Sequence, residues 1–144
     1  QVAAQSLNDY ADGVFVVFLA PITDPGLVVA TIAQTLDLRE QGSKSLLDIL
    51  KDYLSEKRML LVLDNFEHLM DAAPVVAKLI AAAPKLKALV TSREVLRIYG
   101  ERAFVVPPLA LPDPDNFPPG ANLVSTLTGY EAIRLFVARA GCQS

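Results

Sequence analysis

The chain has 144 residues, 52% of them apolar, and a formal charge of −3. That is about one domain with enough apolar material for a core, so extensive disorder is excluded. The acidic balance gives no basic excess for gripping phosphate backbones, and direct nucleic-acid contact by this segment is not expected. The single cysteine, Cys142, has no partner for an intrachain disulfide, which suits a reducing, cytoplasmic setting.

In chain order, "QVAAQSLNDY" has no basic segment ahead of an apolar one and no initiator Met; it resembles the tail of a helix and not a signal peptide, as if the chain were cut from a longer protein. Asp12-Gly13 opens the apolar run Val14 to Leu19, expected to form a strand buried on both faces. Asp24-Pro25 supplies an N-cap and a proline at the first helical position. Val28, Val29, Ile32, Ala33 and Leu36 then repeat at helical spacing. Ser45 with Asp48 forms a capping-box pattern ahead of Leu46, Leu47, Ile49, Leu50, Tyr53 and Leu54.

Leu60 to Leu63 is expected as a second buried strand. Asp71 is placed to cap a third helix with the stripe Val75, Val76, Leu79, Ile80 and Ala83, stopped by Pro84. Lys87 to Val90 predicts a third strand and Ala103 to Val106 a fourth. No apolar run reaches the roughly 18 to 20 residues of a membrane helix, because Lys78 interrupts the longest. Alternating strands and helices, with strands that are apolar runs, predict an α/β fold: a parallel sheet covered by helices on both faces.

"PPLALPDPDNFPP" concentrates the prolines into a connector. Thr128 and Glu131 then open a terminal helix carrying Ala132, Ile133, Phe136, Val137 and Ala140. The expected organisation is an α/β domain over 1–106, a connector over 107–128 and the start of a following helical segment over 129–144.

Ligands of open parallel sheets bind beyond the carboxyl ends of the strands. Here one strand ends in Asp64, Asn65 and Glu67 and another in Thr91, Ser92 and Arg93. On neighbouring strands these would set a carboxylate, hydroxyls and a guanidinium around one volume, donors suited to a metal ion with phosphate oxygens. Plainer readings stand beside this one. Asp64-Asn65 would serve as an ordinary strand end, Arg93 as a surface ion pair with Glu94 or Glu67, and Glu67 as a solvated first-turn residue. His68 has no second histidine or nearby cysteine to share a metal.

"LLVLDNFEHL" followed by "ALVTSREVLRIYGERAFVVPPLALPD" closely resembles the nucleotide-binding segment of STAND ATPases, the NB-ARC-like switches of large bacterial transcriptional regulators, over essentially the whole chain. The resemblance implies a P-loop NTPase-like fold of the ASCE type. It also implies ATP or ADP with Mg²⁺ as cofactors: Asp64 on a Walker B strand holds Mg²⁺ through water, Arg93 of "TSR" contacts the terminal phosphate, and Thr91, Ser92 and Asn65 line the pocket. The position after Asp64, where this fold class often carries the acid that orients water, is Asn65, which is no useful proton acceptor. Glu67 is the substitute, and hydrolysis is expected to be slow.

No G-x-x-x-x-G-K-[ST] occurs, and Gly42-Ser43-Lys44-Ser45 is a false match. By resemblance the first strand and phosphate loop precede "QVAAQ", and losing about four charge-assisted hydrogen bonds forfeits roughly 6–12 kcal/mol, so this stretch alone is not expected to hold ATP. The family's sheet order sets the missing strand between the sensor strand and the last strand. Either another chain then fills the gap, or Lys87–Val90 pairs directly with Ala103–Val106. The implied partners are neighbouring domains of a parent chain and a second copy meeting exposed strand edges. Two rival readings are a nucleotide-independent interaction module that keeps the fold, and a small phosphotransferase for which the chain shows no evident acid or base.

Overall fold

The structure, a computed structural model, describes residues 9–40, 42–112 and 126–140. The chain divides into two compact units, 1–103 and 104–144, each described by itself.

In the first unit three strands, β1 (Val14–Phe18), β2 (Leu60–Asp64) and β3 (Lys87–Val90), form a parallel sheet in the order β1-β2-β3. Parallel neighbours need crossovers. Helices α1 (Val28–Thr35) and α2 (Leu46–Leu54) connect β1 to β2, and α3 (Ala73–Ala82) connects β2 to β3. The fold is α/β, and β2, central in the sheet, is buried from Leu60 to Leu63.

The local chemistry follows the sequence closely. Asp24 Oδ1 accepts the Gly26 N–H at 2.8 Å and caps a short 3-10 turn, Pro25–Leu27, that runs into α1. Ser45 Oγ accepts the Asp48 N–H at 3.2 Å and donates to its carboxylate at 2.5 Å, stabilising the start of α2. Asp71 does not cap α3. It sits inside a 3-10 turn, Met70–Ala72, while Ala72 takes the cap position without a side-chain bond and Pro74 stands in the first turn of the helix.

The registers Val14↔Leu60 and Leu60↔Lys87 are anchored at the amino ends. Asp12 accepts the Arg58 N–H at 2.8 Å and Lys57 Nζ at 3.0 Å, holding the entries to β1 and β2 together. Gly13, at φ +99°, turns the chain into β1 where a side chain would be strained.

The core lies on one face of the sheet. Val17, Leu19, Met59, Leu61 and Leu63 pack there with Val28, Ile32 and Ala33 of α1, Leu50 and Leu54 of α2, and Val76 and Leu79 of α3. Leu60 and Val62, which point the other way, are buried yet stand outside that cluster. On the same face, Phe18 is 66% exposed and Leu89 39%. Among the described residues the helices gather on one face, and β1 is not buried on both sides.

The expected fourth strand is corrected. Ala103–Val106 has no strand pairing, Phe104, Val105 and Val106 are exposed, and the described strands leave β3 at the sheet edge. Among the described residues it does not pair with β3. Apolar β-branched residues favour strands only where a neighbouring backbone accepts their hydrogen bonds.

In the second unit α4 (Glu131–Ala140) has no buried residue, with Leu135, Phe136 and Val137 exposed. Residues 113–125 of the expected connector lie outside the described residues. Among the described residues no helix is long and apolar enough to cross a membrane.

Candidate functional site at the carboxyl rim of the sheet

The β2–β3 register ends with Leu63↔Val90, so the next residues, Asp64 and Thr91, fall side by side. Backbone bonds extend the pairing past the strands: Thr91 N–H donates to Leu63 O at 3.0 Å and Phe66 N–H to Thr91 O at 2.9 Å. The Thr91 hydroxyl then joins the two strand ends. It donates to Asp64 Oδ1 at 2.7 Å and accepts the Asn65 N–H at 3.0 Å. Asn65 adopts a left-handed φ of +64°, turning the chain sharply so that Phe66 drops fully into the core. Asparagine tolerates this region better than most residues.

Buried Phe66 anchors the turn that carries Glu67. Glu67 Oε1 lies 3.4 Å from Arg93 Nε, with side-chain exposures of 19% for Glu67 and 85% for Arg93. The Glu67 carboxyl is held below its ordinary value, first by its own backbone N–H and then by the Arg93 charge, with further help from the Asn65 side chain, against a burial penalty. Ser92 Oγ accepts the Glu94 N–H at 3.1 Å, a local turn that leads Arg93 away from β3. His68 Nε2 donates to Ile22 O at 2.7 Å and ties this turn to the loop after β1.

The structure thus brings Asp64, Asn65 and Thr91 into one hydrogen-bonded group and Glu67 and Arg93 into an adjoining ion pair. Ser92 is spent on its own turn. Sequence reasoning missed Glu101, whose carboxylate accepts the N–H groups of Leu96 at 2.9 Å, Arg97 at 2.7 Å and Ile98 at 3.4 Å. This clasp closes the loop after Arg93, with Arg97 at φ +57° and Gly100 at φ +80°. Gly100-Glu101 was the available signal, a left-handed turn residue followed by an acceptor.

The oxygen donors fit one kind of metal binding. Asp64 offers one carboxylate beside one hydroxyl, and among the described residues no three His, Cys, Asp or Glu side chains are disposed to hold an ion by themselves. That set suits Mg²⁺, which keeps waters and takes one or two carboxylates plus substrate phosphates, and it does not suit a metal caged by protein alone. Two surface hollows lie elsewhere, one at the amino ends of the strands beside Tyr10, Arg58 and Lys87 and one between α3 and Tyr99.

Over 109 residues, 75% of its length, the chain is 43% identical to proteins of Mycobacterium tuberculosis and Mycobacterium bovis provisionally named HTH-type transcriptional regulators, and it spans 12% of those relatives. Over 141 residues, 97% of its length, it is 34% identical to a second protein of M. tuberculosis whose name states no function, and it spans 32% of that relative. No protein-family model and no solved structure matches.

Proposed function

We propose that this chain is part of an ATP/ADP-binding switch of the STAND type in a transcriptional regulator. The observation that carries the reading is the Thr91–Asp64 hydrogen bond, which joins the ends of two adjacent parallel strands where α/β sheets bind ligands. The relatives named as HTH-type regulators, far longer than this chain, support the regulatory setting. The preceding segment of such a regulator would supply the phosphate loop, with its backbone N–H cradle and lysine.

Within that reading, Asp64 would hold Mg²⁺, with Thr91 orienting its carboxylate. Mg²⁺, when bound with nucleotide, would neutralise phosphate charge. Arg93 reaches the terminal phosphate, and Asn65, Thr91 and Ser92 border the nucleotide. Glu67 is the nearest acid for orienting water, and its lowered carboxyl makes it a weak proton acceptor, consistent with slow turnover that resets a switch. Occupancy biases two arrangements of the domain through contacts made to a triphosphate and absent with a diphosphate.

In the full-length protein, Asp64→Ala and Arg93→Ala should each weaken ATP binding or turnover at least ten-fold, and unchanged binding and turnover in both would sink the assignment. The 144-residue chain alone should show no measurable ATP affinity.

A second reading, a nucleotide-independent interaction module that meets neighbouring domains or a second copy through its strand edge, draws support from exposed Phe18 and Leu89 and from β3 at the sheet edge. Full-length protein that binds no ATP but self-associates would favour it.

A further inference from the structure

Glu67 and Arg93 are unequal partners. Glu67 directly follows Phe66, whose side chain is fully buried, and its carboxylate is mostly shielded at 19% exposure. Arg93 lies between two fixed points, Thr91 with its bonds to β2 and buried Leu96, but its own side chain is 85% in water. A fixed carboxylate therefore holds a guanidinium that is otherwise free to swing. The contact is a single one, Nε to Oε1 at 3.4 Å.

A terminal phosphate is a stronger partner for the same group. It carries more charge and several oxygens, and the guanidinium fork takes two of them at once. A single-contact pair whose guanidinium stands mostly in water is weak by comparison. We infer that Glu67 is the specificity-determining residue of the proposed site: its carboxylate is the internal rival of a nucleotide's terminal phosphate for Arg93, so a triphosphate must displace it while a diphosphate leaves the pair intact. The inference rests on the reading of Arg93 as the phosphate-contacting group. Under it Glu67 trims the preference for triphosphate and keeps the unloaded and diphosphate states alike at this corner. A carboxyl held below its usual range suits an ionised pair partner better than a proton acceptor.

The test measures affinities of the full-length protein for Mg²⁺ with a non-hydrolysable ATP analogue and for Mg²⁺ with ADP. Glu67→Gln should raise affinity for the analogue about two- to five-fold and leave ADP unchanged. Glu67→Asp, with shorter reach, should give a smaller gain in the same direction. In an Arg93→Ala background, Glu67→Gln should change neither affinity. Equal gains for both nucleotides would mean simple repulsion of phosphate by Glu67 and would overturn the inference. So would a gain that survives without Arg93, or unchanged affinities with lost turnover. If Arg93→Ala alone leaves the analogue-to-ADP preference intact, the phosphate-contact reading itself fails, and the experiment separates that failure from the others.

Discussion

Thr91 Oγ1 donates to Asp64 Oδ1 at 2.7 Å and accepts the Asn65 N–H at 3.0 Å, so one hydroxyl fixes both the carboxylate and the turn beyond it. Thr91→Val keeps the shape and removes both bonds. Because Thr91 is exposed and water can replace part of what is lost, the expected cost is about 1 kcal/mol. Urea unfolding of the 144-residue chain measures it, and an unchanged midpoint would show that the hydroxyl orders nothing.

Phe66 and Phe18 occupy opposite situations. Phe66 is fully buried beneath the Asp64 turn, and Phe66→Ala should destabilise the chain by about 3–5 kcal/mol. Phe18 is 66% exposed on the sheet face outside the core, and Phe18→Ser should change stability by no more than about 0.5 kcal/mol. Thermal unfolding of the two variants side by side gives the contrast. Similar losses would mean that both faces are packed.

Glu101 accepts three backbone N–H groups. Glu101→Ala should speed hydrogen exchange at Leu96 and Arg97 at least ten-fold, with Glu101→Gln in between and the amides of β2 unaffected. Exchange read residue by residue by NMR decides this, and unaltered Leu96 and Arg97 would dismiss the clasp.

Acid should loosen two places together. The Asp12 carboxyl is lowered first by the Arg58 backbone N–H and then by Lys57, and the Glu67 carboxyl first by its own N–H and then by Arg93. Folded values below the unfolded ones mean that the stabilisation is fully present above the ordinary carboxylate pKa, about 4, and is lost as pH falls through the lowered values. Stability of the parent chain should therefore drop below about pH 4 more steeply than that of an Asp12→Asn, Glu67→Gln double variant. Parallel curves would exclude both groups as contributors.

The strands were legible because local pattern and burial agree. Leu60 to Leu63 is an apolar run that the central position demands, and Lys87–Val90 was bounded correctly by the Pro84 break and the polar Thr91. Ala103–Val106 carries the same kind of signal and pairs with nothing, because a strand needs a neighbour and composition cannot supply one. The same limit governed the faces: Val16 and Phe18 read as core from their chemistry, while the side carrying the helices is a property of the crossovers. At the site, the neighbourhood of Asp64 and Thr91 followed from two strand ends. The capture of Arg93 by Glu67 was open among several partners, since only the left-handed turn at Asn65 settles where Glu67 points.

That turn also restricts which residues could ever succeed Asp64. With φ at +64°, the backbone there penalises a β-branched L-side chain most, whereas glycine, asparagine or aspartate is readily admitted. Asn65→Glu would strain the bend that seats Phe66 more than Asn65→Asp would. An acid can therefore follow Asp64 without rebuilding this corner's main chain only as aspartate, whose short side chain keeps the bend.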